Sequence, residues 1–175
     1  MADHVDSTET ESVEITIRLA RPEDMKIVHE MIQELAEYEG VPDGPKLTVG
    51  DLVEDGFNSE HPWFFVLLAE KGNVVLGSAL CNRAYSSWSR RAFYIEDLFV
   101  RPMARRKGIG LMLMRELSRR AVIEGVNRID WHVLKSNTPA LAFYNKLGAR
   151  DLRVTEGRTA LRLDRDCIEA LASGS

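Results

Sequence analysis

Along the first third of the chain the apolar positions change period. Val13, Ile15 and Ile17 alternate with polar neighbours, as in a half-buried strand ending near Arg18. Behind Pro22, a residue suited to a first helical turn, Ile27, Met31, Leu35 and Tyr38 recur at helical spacing. A Gly/Pro-rich loop runs from Gly40 to Pro45, and Thr48 with Asp51 then makes a capping-box pattern for a short helix through Val53 that ends near Gly56. β-branched and aromatic residues fill Trp63 to Glu70 and Val74 to Ala84 around a Lys71-Gly72-Asn73 turn, which predicts an antiparallel pair. A second hairpin leads to a strand from Ala92 to Val100. The helix from Gly108 shows Leu111, Met114, Leu117, Ala121 and Val122 on one face and stops before Gly125. A strand from Arg128 to Leu134 follows. Asn137 and Thr138 are cap-type residues before Pro139, and the helix they start passes Leu141 and Tyr144 to Gly148. Two last strands, near Arg150 to Val154 and Thr159 to Leu163, precede a short tail helix. Hairpins feeding one β-α-β-α-β segment predict an α/β protein with a mixed sheet and helices on both faces.

Composition narrows the class. With 175 residues, 45% of them hydrophobic, the chain fits a single domain over 13–175, after a tail over 1–12 that is expected to be disordered. The formal charge of −4 argues against a general nucleic-acid surface, so the partner expected at any local basic patch is a small anion. No run approaches the ~20 apolar residues of a membrane span, and the first residues lack the basic and apolar regions of a signal peptide. Cys81 and Cys167 form neither a disulfide framework nor a CxxC pair, and Ala79-Leu80-Cys81 reads as the setting of a core thiol. A cytosolic protein without a membrane partner is the expectation.

The chemistry concentrates between Tyr94 and Met114. An apolar strand with two carboxylates, Tyr94-Ile95-Glu96-Asp97-Leu98-Phe99-Val100, meets a basic turn ending in Arg105-Arg106-Lys107, which opens at Gly108-Ile109-Gly110 into a helix. Glycines allow close backbone approach and the first helical N–H groups attract an anion, so the segment reads as a phosphate cradle beside acid/base groups. The glycine pair alone is weak evidence. A dinucleotide fingerprint wants Gly or Ala where Leu113 stands, and no stretch fits GxxxxGK[ST]. The plain alternative is an ordinary Gly-rich turn with solvated basic residues; the three basic residues and the acidic strand favour the phosphate reading.

Charges inside an apolar run are costly unless paired or used. Strand neighbours face opposite sides, so one of Glu96 and Asp97 can face a cleft while the other faces a helix-covered layer; the alternative pairs one of them with Arg90 or Arg91. Tyr144 reads either as core packing beside Leu141 or as a proton donor. His132, beside Trp131, reads as a hydrogen-bonded core or cleft residue, with a proton relay as the sharper alternative. His29-Glu30-Met31-Ile32-Gln33 falls one histidine short of HExxH, and His4, His61 and His132 show no ligand spacing, so no metal is expected.

These blocks together resemble the GCN5-related N-acetyltransferases: Arg105-x-x-Gly108-x-Gly110 after the strand, then Asn137-Thr138-Pro139-Ala140-Leu141-Ala142-Phe143-Tyr144 and Leu147-Gly148-Ala149. The similarity is closest to the diamine (spermidine/spermine) and thialysine acetyltransferases. It runs through Glu34-Leu35-Ala36-Glu37-Tyr38-Glu39, Leu52-Val53-Glu54-Asp55-Gly56-Phe57, Tyr85-Ser86-Ser87-Trp88 and Ile95-Glu96-Asp97-Leu98-Phe99-Val100, and spans residues 13 to 165. It implies a mostly antiparallel sheet of about seven strands with a splayed parallel pair.

The resemblance also implies acetyl-CoA as the acetyl donor. Its pyrophosphate would lie on the backbone from Arg105 through Arg106, Lys107, Gly108, Ile109 and Gly110 to Leu111, and its pantetheine arm would pair with Leu98 and Val100. A backbone N–H at Leu98 or Phe99 would meet the thioester carbonyl, Asn137 would contact the cofactor and Tyr144 would protonate the departing thiolate. Glu96 would act as general base through water, with Asp97 and Glu39 holding the amine and Ser86 and Trp88 among its further contacts. An amine with a pKa of about 10 arrives as ammonium and must lose a proton before it attacks, which is why carboxylates belong there.

Three positions depart from the family pattern. Ser86 stands where the polyamine-acetylating branch carries an acidic residue and the thialysine branch has Ser, which favours a shorter, amino-acid-like amine. Ser136 precedes Asn137 where Trp is usual, and Glu156-Gly157-Arg158 replaces Glu-Gly-Trp, giving Arg158 either a substrate carboxylate to meet or a plain surface role. Besides a small-amine enzyme, the alternatives are a protein N-terminal or lysine acetyltransferase and a non-catalytic acetyl-CoA-binding module. A homodimer is implied by the family, with the Cys167 to Leu171 tail as a packing candidate.

Overall fold

The computed structural model describes residues 14–174; the tail over 1–12 and Val13 lie outside the described residues. The strand periods read from the sequence become β1 (Ile15–Leu19), β2 (Phe64–Lys71), β3 (Val74–Ser86), β4 (Arg90–Val100) and β5 (Arg128–Trp131), a five-stranded sheet in the order 1-2-3-4-5. Three pairings are antiparallel and the last, β4 with β5, is parallel. The chain clusters into two compact units, one ending at His132 and the other starting at Val133.

The first unit holds the whole sheet. Helix α1 (Met25–Tyr38) follows a 3₁₀ turn at Pro22–Asp24, and the short α2 (Val49–Val53) passes into a π-type turn at Glu54–Asn58. The capping box at Thr48 is present: Asp51 N donates to Thr48 Oγ1 at 3.2 Å, and Thr48 N donates to Asp51 Oδ2 at 2.7 Å. Met25, Val28 and Leu52 pack with Phe64, Val66, Leu68 and Leu80 from β2 and β3. The buried stripe of α1 therefore runs through Met25, Val28 and Met31, and Tyr38, expected on the apolar face, is 49% exposed.

Helix α3 (Ile109–Ile123) buries Ile109, Leu113, Met114, Leu117 and Ala121. Val122 was expected on that face but is 80% exposed, because the buried steps Met114, Leu117 and Ala121 return to the core every three or four residues and Val122 falls beyond them. Gly77 on β3 lies under this helix: a Cβ there would sit 2.9 Å from the Phe99 carbonyl oxygen and 3.4 Å from Ile109 Cγ2. Gly77→Ala is accordingly expected to lower unfolding stability by about 1–3 kcal/mol, measured by urea denaturation, because the backbone of β4 cannot retreat from it. Cys81 is the core thiol expected, fully buried.

The second unit contains α4 (Thr138–Lys146), α5 (Leu152–Glu156) and α6 (Arg165–Ser173). Here the seven-strand expectation is corrected to five among the described residues. The stretch read as a strand from Arg150 to Val154 enters a helix instead. Asp151 accepts from the Arg153 N–H at its start, and Gly157 adopts the left-handed conformation at its end. Apart from half-buried Leu152, the apolar residues of the two expected strands are exposed, Val154 at 74% and Leu161 at 93%, so burial does not follow the alternation and local capping prevails in the first stretch.

Candidate active site

The basic turn has the backbone form of an anion nest. After β4 a 3₁₀ turn at Pro102–Ala104 precedes Arg106 and Gly108, both left-handed, with φ of 61° and 78°. Such alternation folds successive backbone N–H groups into a concave nest. Gly108 is the N-cap of α3 and supplies no side-chain cap, and the first helical bond runs from Met112 N to Gly108 O at 3.0 Å. The N–H groups of Ile109, Gly110 and Leu111 thus have no partner within the helix and the dipole stands behind them. Arg106 and Lys107 are exposed beside the nest. These residues fit a pyrophosphate.

Arg105 is placed differently from its neighbours. Its Nε donates to the Val100 carbonyl at 2.9 Å, and its guanidinium lies 4.5 Å from the ring centroid of Tyr38 and 5.8 Å from that of Phe99. Arg101, four residues earlier, grips Glu34 with Nε and Nη2 at 3.1 and 2.8 Å.

Upstream, β4 comes free of its parallel neighbour. β5 pairs with it only from Ala92 to Ile95, whereas β4 continues to Val100, so Glu96 to Val100 have a strand on the β3 side alone among the described residues. That edge contains the backbone of Leu98, Phe99 and Val100, where an extended amide-bearing chain can pair. The register on the other side also shifts at this point. Leu80 faces Asp97 and Cys81 faces Ile95, which leaves Glu96 as the extra residue of a β-bulge. The simple alternation expected for Glu96 and Asp97 is interrupted there.

Glu96 is exposed and Asp97 is not. Burial first, then the charges of Glu96 and Glu39, push the Asp97 carboxyl up to about 6 from its ordinary 3.8. Glu39, the C-cap of α1, thereby joins Glu96 and Asp97 in one electrostatic group. Neither Arg90 nor Arg91 neutralises it: Arg91 donates to the Glu124 carbonyl, and Arg90 sits at the β3–β4 turn. His132 is hydrogen-bonded, its Nδ1 2.7 Å from Tyr94 Oη.

The remaining residues singled out in the sequence have the following local settings. Ser86 Oγ accepts from the N–H groups of Trp88 and Ser89 at 3.2 Å and holds the hairpin tip, with Trp88 85% exposed. Seven residues of β4 separate that tip from Asp97, roughly 20 Å along the strand. His29 and Gln33, the near-miss metal motif, bind the carbonyls of Leu47 and Pro42 in the loop after α1. In the second unit, Asn137 caps α4 by accepting from Ala140 N at 3.3 Å, and Tyr144 stacks obliquely with Phe143 at 5.2 Å. Burial pushes the Tyr144 phenol up to about 12. Arg158 is engaged by Glu156 at 2.7 Å.

Residues 28–149 match the model of the acetyltransferase (GNAT) family. The chain belongs to that family. It is 35% identical to a pig thialysine N-epsilon-acetyltransferase over 90% of this chain and 97% of that one. A human spermidine/spermine N(1)-acetyltransferase-like protein 1 is 32% identical over 86% of this chain and 22% of its own longer one. Among solved structures, an integron cassette protein from the mobile metagenome of V. cholerae superposes with a TM-score of 0.73 at 28% identity, covering 90% of this chain and 97% of that chain. This GNAT protein is therefore an acetyl-CoA-dependent N-acetyltransferase, and the nest before α3 and the free edge of β4 are the features that fit the donor.

Two contributors were not among the residues expected to act: Tyr38, which carries Arg105, and Glu34, which carries Arg101. Both stand in the Glu34–Glu39 block that carries the family resemblance, and the further signal was their spacing, positions i and i+4 on α1 facing positions i and i+4 on the turn.

Proposed function

We propose that this acetyltransferase acetylates a primary amine of a small molecule, a thialysine-like amino acid or a diamine. The observation that carries the reading is the carboxylate group of Glu39, Glu96 and Asp97 where β4 comes free, in which the charges of Glu96 and Glu39 raise Asp97 and none of the three forms a salt bridge among the described residues. Such a group attracts an ammonium ion, whose arrival relieves the repulsion. The 35% identity to a thialysine enzyme supports the amine class.

When bound, acetyl-CoA supplies the acetyl group as a thioester. The nest at Arg106–Leu111 and the side chains of Arg106 and Lys107 hold its pyrophosphate, and the free edge at Leu98 and Val100 holds its pantetheine arm. A backbone N–H at Leu98 or Phe99 donates to the carbonyl oxygen on which negative charge grows. Asn137 adds a cofactor contact. Asp97 and Glu39 bind the ammonium, and Glu96, on its bulge, removes the proton through a water molecule. Tyr144 gives a proton to the departing sulfur. No covalent bond to the enzyme is needed. By family resemblance the active species is a homodimer, which light scattering reads directly.

The test is acetyl-CoA turnover across thialysine, lysine, ornithine, putrescine, spermidine and spermine, set beside a panel of peptides. We expect kcat/KM for thialysine or the short diamines to exceed that for spermine by at least about tenfold, since by resemblance position 86 carries Ser, as in the thialysine branch, where the polyamine branch has an acidic residue. Turnover of peptides alone, or binding of acetyl-CoA without any turnover, would overturn the assignment.

A further inference from the structure

We infer that Tyr38 is a positioning residue for the donor site: its ring seats Arg105 on the inner side of the phosphate loop, so that the loop presents backbone N–H groups rather than this guanidinium to the donor. The inference rests on the proposed pyrophosphate site.

Arg105 has three fixed attachments on the protein: the Tyr38 ring at 4.5 Å, the Phe99 ring at 5.8 Å and the Val100 carbonyl at 2.9 Å from Nε. A guanidinium over an aromatic face and against a carbonyl is held by both quadrupole and hydrogen bond. The next residue, Arg106, is a non-glycine residue in the left-handed region, a conformation that needs support from its surroundings. Arg105, fixed at three points, holds the chain immediately before it.

Tyr38 in turn is placed by α1. Four residues before it on the helix, Glu34 receives Arg101 through paired hydrogen bonds, and Arg101 Nη1 also donates to the Val75 carbonyl at 3.2 Å. Glu34 and Tyr38 share one face of α1, and Arg101 and Arg105 bracket the turn at Pro102–Ala104. Two parallel struts thus pin the start of the loop to the end of the helix. Tyr38 is half exposed and contributes little to the core, so holding Arg105 is the task its position allows. Glu39 follows it directly, which ties one carboxylate of the amine group to the same helix end that steadies the loop.

The experiment uses the full-length chain as wild type, Tyr38→Leu and Tyr38→Phe. Limited trypsin digestion without cofactor, followed by mass spectrometry, reads cleavage after Arg106 and Lys107. Steady-state kinetics read KM for acetyl-CoA against kcat. Tyr38→Leu should be cleaved faster in the loop and should raise KM for acetyl-CoA roughly three- to thirtyfold with kcat within about twofold, the size expected for losing a cation–π seat. Tyr38→Phe keeps the ring and should behave as wild type in both readouts. Thermal melting confirms that each variant is folded. Loop cleavage of Tyr38→Leu at the wild-type rate, or equal impairment of Tyr38→Phe and Tyr38→Leu, would overturn the inference. Failure of the wild type to bind acetyl-CoA would instead overturn the site reading, and the cofactor-free digestion keeps the two failures apart.

Discussion

Tyr144→Phe is expected to lower kcat by more than about tenfold while KM for acetyl-CoA changes by less than about twofold. Proton transfer by a positioned side chain is commonly worth ~10²–10⁴ in rate. A thiolate resembles the cysteine side chain, whose pKa of about 8.5 makes it a fair leaving group even unassisted, so the loss belongs at the lower end of that range. The phenol must be protonated to donate, and burial raises its pKa to about 12, so the acid form persists across the whole neutral and mildly alkaline range. The ratio of wild-type to variant kcat should therefore stay flat from pH 7 to pH 10. A ratio that collapses in that window, or a variant with wild-type kcat, would remove Tyr144 from the chemistry and leave it as a packing partner of Phe143.

Much of the candidate donor site was legible because it is local. A strand, a turn with Arg105 to Lys107, two glycines and a helix are contiguous in the chain, and backbone geometry at Gly108 follows from the residue type. The capping residues Thr48 and Asn137 were legible for the same reason. What escaped depends on contacts far apart in sequence. The bulge at Glu96 arises from the register of β4 against β3, and nothing inside Tyr94 to Val100 announces it. The turning-in of Arg105 depends on Tyr38, 67 positions earlier. The alternation in Arg150 to Leu163 reads as strands, but only burial gives alternation its meaning, and the apolar side chains there other than Leu152 are exposed. The placement of Ser86 at a hairpin tip likewise follows from the length of β3, which runs on to that residue.

Glu96→Gln and Asp97→Asn test separately the two roles that the family resemblance gives these carboxylates. Glu96→Gln should lower kcat more than about tenfold, since the amide cannot take the ammonium proton through water. Asp97→Asn should act mainly on KM for the amine, by removing one of the carboxylates proposed to hold the ammonium. The pH dependence distinguishes them further. Asp97 titrates at about 6, so kcat/KM for the amine should fall as pH drops through 6 in the wild type and lose that limb in Asp97→Asn. In Glu96→Gln the limb should persist but move to lower pH, because one of the charges that raises Asp97 is gone. Stability gives an independent sign. A carboxyl whose folded pKa lies above its ordinary 3.8 holds a proton in the folded state that the unfolded chain has released, so stability is lost as pH rises from about 4 through about 6. Asp97→Asn should consequently melt higher than wild type at pH 8 and show little difference at pH 4, while binding its amine more weakly. A variant that is both less stable at pH 8 and unchanged in amine KM would show Asp97 to be a structural acid. The combination of a higher melting temperature with weaker amine binding is what a charge retained for its substrate produces.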